Sequence, residues 1–256
     1  MNPSSCGRLT TDLLAGLKQG VLIGAAALVL ILPPAGQALV RDTPAAADRE
    51  RQAGFRSADF GAHAASNDAR FIADWATDSG DSRGLPFAIL DKRDARLYLF
   101  APDGRLVDAS PVLLGAAPGD DSVPDIGTRP MALVRPEERT TPAGRFVSVP
   151  GKNASDEDVV WVDHGAAVSM HRVRLVDPKE RRLERLASLD PAERRISYGC
   201  INVPVAFFDS VVWPTLGQGR AVVYVLPETR AIGDVFAQAY SAETRPAQPR
   251  SAVARL

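Results

Sequence analysis

One nine-residue stretch of the chain, residues 196–204, places a cysteine among groups that could make it reactive. Cys200 follows Gly199, whose backbone can bend tightly and approach a ligand closely. A buried strand would normally supply valine, leucine or isoleucine around it, whereas the neighbours here are Ser197, Tyr198 and Asn202. A free cysteine is commonly a small buried apolar residue, but this polar setting favours a reactive thiol.

A reactive cysteine acts as its thiolate, and an unperturbed thiol has a pKa of roughly 8.5. A paired histidine or a nearby helix N-terminus supplies the activation that it needs near neutral pH. Apolar residues at helical spacing predict a helix over residues 205–212, just after the cysteine. The chain offers three candidate bases, which are His63, His164 and His171.

The position of His171 favours it as the general base. It follows an apolar run at 166–170, which predicts a strand, and it precedes Cys200 by 29 residues. His164 precedes the cysteine by 36 residues and stands in a polar turn. His63 lies in a segment of low complexity that we expect to be exposed. The sequence therefore predicts His171 as the base, with His164 as its competitor.

The remaining pattern is that of a β-rich domain. Short apolar runs bounded by Gly, Pro and Asp predict strands at 87–90, 96–100, 106–114, 159–162, 166–170 and 221–226. The first three are joined by short turns, which is typical of an antiparallel meander. Before them, residues 67–78 predict a short amphipathic helix, capped by Asn67 or Asp68.

Two segments between these strands are long. Residues 115–139 are rich in Gly, Pro and Asp, and a loop of this length is usually functional or disordered. They either border a substrate groove or form a surface insertion. Residues 176–195 are dense in both signs of charge and predict a solvated insertion with turns and a short helix.

The first residues have the pattern of a targeting segment. Arg8 and Lys18 precede thirteen apolar residues at 20–32, and the small residues Gly36 and Ala38 predict cleavage after Ala38. Alternatively, the twenty mostly apolar residues 13–32 are long enough to form an uncleaved membrane anchor. Either form predicts export to the periplasm or the cell envelope.

The composition argues against several other classes of function. With 30 Lys and Arg against 31 Asp and Glu, the chain lacks the basic excess of a nucleic-acid-binding protein. Two cysteines and three histidines, spread along the sequence, offer no metal-binding cluster. We therefore expect no cofactor, no metal and no nucleic-acid partner.

The stretch around Cys200 resembles the signature of L,D-transpeptidases, the cysteine enzymes that crosslink bacterial peptidoglycan. That signature is Ser or Thr, His, Gly, Cys, an apolar residue, and then Arg or Asn. The residues that fit it are Ser197, Gly199, Cys200, Ile201 and Asn202, while Tyr198 replaces the histidine. Residues 141–146, Thr-Pro-Ala-Gly-Arg-Phe, are similar to a second segment of that family.

The resemblance implies a fold that is mainly β (α+β), an L,D-transpeptidase-type β-sandwich of mixed sheets with a helix following the active cysteine. It also implies a division of the chain. The expected parts are a signal peptide or membrane anchor (1–38), a linker with a short amphipathic helix (39–84), a catalytic domain (85–227) and a C-terminal tail (228–256).

The resemblance further implies acyl transfer from a tetrapeptide stem of peptidoglycan to an amine, with release of D-alanine. The implied roles are nucleophile for Cys200, general acid and base for His171, oxyanion-hole backbone for Gly199, accessory group for Tyr198, and substrate binding for Ser197 and Asn202. A carbapenem would acylate Cys200. The alternatives are an L,D-carboxypeptidase of the same fold and a catalytically silent peptidoglycan-binding scaffold.

Overall fold

Eight strands form one mixed sheet in the computed structural model, which describes residues 54–246. The predicted targeting segment, Cys6 and residues 247–256 of the predicted tail lie outside the described residues. The ten strands in chain order are β1 Phe87–Asp91, β2 Arg96–Phe100, β3 Leu106–Pro111, β4 Leu114–Gly115, β5 Gly144–Lys152, β6 Asp158–Asp163, β7 Val168–Arg172, β8 Arg195–Ser197, β9 Ile201–Val203 and β10 Ala221–Val225.

The strand order in the large sheet is β3-β2-β1-β10-β5-β6-β7-β9, and β4 pairs with β8 in a second, two-stranded sheet. Three pairs are parallel, β1 with β10, β7 with β9, and β4 with β8, whereas the others are antiparallel. Strand β5 belongs to both halves of the large sheet, because residues 144–148 pair with β10 and residues 149–152 pair with β6.

The helices cover this sheet on two sides. They are α1 Asn67–Ser79, α2 Arg182–Ala187 and α4 Ile232–Val235, together with a continuous helical segment α3 over residues 205–216. Segment α3 consists of Val205–Phe207, a π-helical piece Phe208–Val212, and Trp213–Leu216. Short 3-10 turns lie at Met131–Leu133, Pro136–Glu138, Pro178–Glu180 and Pro191–Arg194.

The main core lies between the two halves of the large sheet. Leu97 of β2 and Val223 of β10 pack there with Met170 of β7, Ile201 of β9 and Phe208 of α3. All five side chains are fully buried. Because side chains alternate across a strand, these positions define an inner face, and the predicted β-sandwich of mixed sheets with a helix after the cysteine is confirmed.

A second core explains why β1 and β10 are buried on both faces. Helix α1 packs Ile72 and Trp75 against the opposite side of these strands, where they meet Phe87 and Tyr224. The predicted amphipathic helix is therefore present, but the predicted cap is wrong. Ser66, whose backbone is extended, accepts the N–H of Ala69 on its side-chain oxygen at 3.1 Å.

The predicted strand at 106–114 is in fact two strands in different sheets. Strand β3 ends at Pro111, which has no N–H to donate to a further ladder, and Leu114 pairs with β8 instead. The predicted strand at 166–170 is shifted, because Ala167 adopts a left-handed conformation with φ of 54° in the turn before β7. His171, which the sequence predicted at the end of this strand, lies within β7, one residue before its end.

The described residues outside the predicted catalytic boundaries also pack onto the domain. Phe60 and Phe236 are almost fully buried in the second core. No helix within residues 54–246 has the length and apolar character needed to cross a membrane.

A buried ammonium group ties the loop 115–139 to the rest of the fold. Lys92, in the turn between β1 and β2, has no exposed surface. Its Nζ donates to the carbonyl of Gly119 at 2.5 Å, to Asp120 Oδ1 at 2.7 Å and to the carbonyl of Thr141 at 2.8 Å. The carboxylate of Asp120 also accepts the backbone N–H groups of Glu228, Thr229 and Arg230, each at 2.8 Å.

The environment of Asp120 keeps that carboxyl ionised. Burial raises its pKa, but hydrogen bonds from Lys92, Thr229 and the backbone lower the pKa by more, so that it lies well below its usual range. A buried pair of this kind is costly to break, because the remaining partner becomes an uncompensated buried charge.

We expect Lys92→Met to destabilise the domain by about 3–5 kcal/mol, the cost of leaving one partner of a buried pair alone. Urea unfolding followed by circular dichroism measures this change. Lys152→Met is the matched control, because Lys152 pairs with Asp158 at 2.9 Å on the surface, where such a pair contributes about 0–1 kcal/mol. Equal stability of the two variants would contradict the prediction.

Candidate active site

The parallel pairing of β7 with β9 places the predicted base beside the predicted nucleophile. In this register Met170 is opposite Ile201 and His171 is opposite Asn202. Since Met170 and Ile201 point into the main core, alternation turns His171 to the other face. Cys200, directly before β9, continues that pattern, and its Sγ lies 3.8 Å from Ser169 Oγ.

The thiol of Cys200 is half-buried in a polar setting. Burial raises its pKa, but the hydrogen bond and charge of His171 and the hydrogen bonds of Ser169 lower the pKa by more. The net result is a thiol pKa below the ordinary value. Sγ also lies 3.5 Å from the carbonyl oxygen of Ala167. His171 and Ser169 thus favour the thiolate form of Cys200.

The imidazole of His171 is held by its own strand. Its Nδ1 lies 2.7 Å from the carbonyl oxygen of Arg172. A carbonyl can only accept a hydrogen bond, so Nδ1 carries the proton and donates it. This leaves Nε2 as the ring nitrogen that can accept the proton of the thiol.

The other two histidines have different surroundings. His164 is exposed in the turn between β6 and β7, and its ring stacks on Trp161 with the centroids 4.7 Å apart. His63 lies near the other end of the sheet, where Nε2 is 3.7 Å from Asp108 Oδ1. Of the three, His171 is the one that acts on the pKa of Cys200.

The turn before Cys200 depends on a glycine. Gly199 has a φ of 123°, which side chains rarely allow, and a Cβ there would lie 2.7 Å from the carbonyl oxygen of Thr140. The N–H of Gly199 donates to Ser197 Oγ at 3.1 Å. It is therefore engaged inside the turn, which differs from the oxyanion-donor role that the sequence predicted for the Gly199 backbone.

Ser197 and Asn202 support the turn from within, which differs from the substrate contact that the sequence predicted. Both are almost fully buried. Ser197 Oγ donates to the carbonyl of Cys200 at 2.6 Å, and Asn202 Nδ2 donates to the same carbonyl at 3.2 Å. Both side chains are therefore engaged in hydrogen bonds that shape the backbone of the turn.

The charged segment 176–195 reaches the site, which the sequence did not predict. Arg182, at the start of α2, donates from Nη1 to Asn202 Oδ1 at 2.6 Å and pairs with Glu180 at 2.6 Å. Leu186 of α2 packs with Leu113 in a small third cluster. The turns and the short helix are confirmed, but the segment is anchored and not purely solvated.

Tyr198 is the exposed member of the turn, with 39% of its surface accessible. The guanidinium of Arg139 lies over its ring, with Cζ 4.0 Å from the centroid. Arg139 also donates to the carbonyl of Val134 at 3.2 Å. The loop 115–139 therefore contacts the cysteine turn, residues 197–200.

The helix α3 is less close to the thiol than the sequence suggested. Strand β9 comes between Cys200 and the first residue of α3, Val205. The lowering of the thiol pKa comes from His171 and Ser169. Within residues 54–246, no group of three or more His, Cys, Asp or Glu side chains is arranged to hold a metal ion.

No family model and no curated protein matches the chain. Solved structures do match it at low identity. A mutant of the Enterococcus faecium L,D-transpeptidase is 16% identical over 55% of this chain and 49% of that one, with a TM-score of 0.32. An L,D-transpeptidase from Xylanimonas cellulosilytica is 14% identical over 69% of this chain and 89% of that one, with a TM-score of 0.35.

The helical cell shape determining protein from Campylobacter jejuni is 14% identical over 68% of this chain and 59% of that one, with a TM-score of 0.40. The chain spans about half the length of the first solved structures that it matches. The likeness to L,D-transpeptidases is one of fold, and the chemistry depends on the residues described above.

We expect the variants His171→Ala and His164→Ala to differ in the reactivity of the Cys200 thiol. His171→Ala should shift the pH profile of Cys200 alkylation by iodoacetamide to higher pH, because the hydrogen bond and charge that lower the thiol pKa are lost. His164→Ala should leave the profile unchanged. Mass spectrometry of the peptide that contains Cys200 measures the rate at each pH. A shift in His164→Ala with none in His171→Ala would show that the assignment of the base is wrong.

Proposed function

We propose that the protein is a cysteine-dependent acyltransferase that acts on the stem peptides of peptidoglycan, an L,D-transpeptidase. The observation that carries this proposal is the half-buried thiol of Cys200 beside His171, with a pKa below that of an ordinary thiol. The choice of peptidoglycan rests on the signature around Cys200, which is similar to that of L,D-transpeptidases.

The first half of the reaction forms a thioester. His171 takes the proton of the thiol, and Sγ attacks the carbonyl carbon between the L-centre and the terminal D-alanine of a tetrapeptide stem. A C–S bond forms as the negative charge moves onto the carbonyl oxygen, where the N–H of Cys200 can stabilise it. The C–N bond then breaks, and His171 returns its proton to the amine of the departing D-alanine.

The second half regenerates the thiol. An acceptor amine attacks the thioester carbonyl, His171 removes a proton from that amine, and the C–S bond breaks as the new amide forms. The proton then passes to the thiolate. With an amine from a second stem the product is a crosslink, whereas water as the acceptor would give a trimmed stem and an L,D-carboxypeptidase.

The proposal extends to inhibitors and to location. A carbapenem carries a strained amide carbonyl that the Cys200 thiolate can attack in the same way, so it should form a covalent adduct of the intact drug. The substrate lies outside the cytoplasmic membrane, which agrees with the targeting pattern of residues 1–38.

We expect Cys200→Ala to abolish product formation from disaccharide tetrapeptides while circular dichroism stays that of the wild type. Mass analysis of the muropeptides distinguishes a crosslinked dimer from a tripeptide, and so separates the transpeptidase from the carboxypeptidase. The same Cys200→Ala protein should form no adduct with meropenem. Wild-type protein that binds muropeptides but converts none would show that the chain is a silent scaffold and that the proposal is wrong.

A further inference from the structure

The hydroxyl of Thr141 is a buried group that the proposed mechanism does not use. Thr141 has no exposed surface. Its Oγ1 accepts the N–H of Gly115 at 3.0 Å and donates to the carbonyl oxygen of Gly199 at 2.9 Å. The acceptor of the donated bond, Gly199, directly precedes Cys200. The Thr141 hydroxyl therefore links Gly115 of β4 to the cysteine turn.

The geometry of the peptide bond gives this contact a consequence. The carbonyl of Gly199 and the N–H of Cys200 belong to one planar peptide group, and in the trans form they point in opposite directions. A hydrogen bond that fixes the carbonyl of Gly199 inward therefore fixes the N–H of Cys200 outward. That N–H is the donor that the mechanism assigns to the oxyanion.

The Gly199–Cys200 peptide group needs this hydrogen bond because the backbone dihedral angles of glycine are less restricted than those of other residues. Gly199 has a φ of 123°, in a region that glycine alone enters readily. Its own N–H is committed to Ser197 Oγ, and the carbonyl on the other side of the residue is the one that Thr141 holds. Without the Thr141 hydroxyl, the Gly199–Cys200 peptide would keep no side-chain partner on that carbonyl among the described residues.

Thr141 is itself held by a charge. The buried ammonium of Lys92 donates to the carbonyl of Thr141 at 2.8 Å and is fixed in turn by Asp120 at 2.7 Å. The buried side chains of Lys92 and Thr141 therefore join the turn after β1 to the cysteine turn. Such a relay limits rotation of the hydroxyl and of the peptide that it holds.

We propose that Thr141 is a positioning residue that aims the N–H of Cys200 at the developing oxyanion. The proposal deepens the proposed function and depends on Cys200 as the acyl acceptor, but not on the identity of the natural substrate. It assigns Thr141 no contact with substrate, since the side chain is buried beneath the turn.

Two reactions of the same thiol distinguish this role from a general effect on stability. In the reaction with p-nitrophenyl acetate, a C–S bond forms, the carbonyl oxygen becomes negative, and nitrophenolate leaves with the electron pair of the C–O bond. In alkylation by iodoacetamide, the thiolate displaces iodide at a saturated carbon, and no oxyanion forms. Only the first reaction needs an aimed N–H.

The variants are Thr141→Val, which replaces the hydroxyl by a methyl group, and Thr141→Ser, which keeps the hydroxyl. Thr77→Val is the matched control, because Thr77 is also buried and its hydroxyl donates only within α1, to the carbonyl of Ala73 at 2.8 Å. The full chain is labelled and then digested, and the rates on Cys200 are followed by mass spectrometry of the peptide that contains it, so that label on Cys6 is not counted. The ratio of acylation to alkylation, taken for each protein, cancels any difference in the folded fraction.

Loss of an oxyanion donor typically costs about 10²–10³-fold in rate, and a misaimed donor should cost less. We expect the acylation rate of Thr141→Val to fall by about 10-fold or more, with its alkylation rate and pH profile unchanged. Thr141→Ser should restore acylation, and Thr77→Val should match the wild type in both reactions. If valine prevents folding, Thr141→Ala takes its place, since it sets no methyl group against the carbonyl of Gly199.

An unchanged ratio in Thr141→Val or Thr141→Ala would overturn the inference, as would an equal fall in both reactions. The failure of the proposed function gives a different result. In that case the wild-type protein would convert no muropeptides, whereas the acylation ratio of Thr141→Val would still report on the aim of the Cys200 N–H.

Discussion

The parallel pairing of β7 with β9 is the constraint on which the candidate site depends. Parallel neighbours cannot be joined by a tight turn and need a crossover connection of a dozen or more residues. The chain meets this need with the charged segment that follows β7, whose Leu186 and Arg182 anchor it to the domain. The separation of 29 positions between His171 and Cys200 therefore provides the crossover that brings the two side chains to one face.

The candidate site also depends on a set of buried polar groups under the cysteine turn. A buried charge or hydroxyl is tolerated only when its hydrogen bonds are made inside the protein. Lys92, Thr141 and Ser197 all satisfy this rule with backbone carbonyl groups as acceptors. Because these acceptors belong to the loops on either side of the site, satisfying the buried groups also fixes the loop backbone. The bonds that stabilise the fold thus also hold the backbone of the cysteine turn.

The sequence correctly predicted the strands that depend on local pattern. Its predictions failed where contacts between distant segments decide the structure. Apolar runs bounded by turn residues located β1, β2 and β10 to within a residue, and residue type and position predicted Cys200 and His171 as nucleophile and base. The split of the strand at Pro111 depends on pairing with β8, some 80 residues away. The buried roles of Ser197 and Asn202, and the contributions of Arg182 and Thr141, arise from contacts between distant segments. A polar residue beside a cysteine looks the same in sequence whether it faces a ligand or supports the turn.

The substitution of Tyr198 for the histidine of the L,D-transpeptidase signature falls on the one exposed side chain of this turn. The groups that activate the thiol come from β7, which supplies His171 and Ser169. Tyr198 instead faces the loop 115–139, where Arg139 covers its ring. Tyr198 and Arg139 are not among the groups that lower the pKa of the thiol, and those groups are positioned by the pairing of β7 with β9. A change at residue 198 therefore acts on the border of the site, while the Cys200–His171 pair depends on β7 and β9.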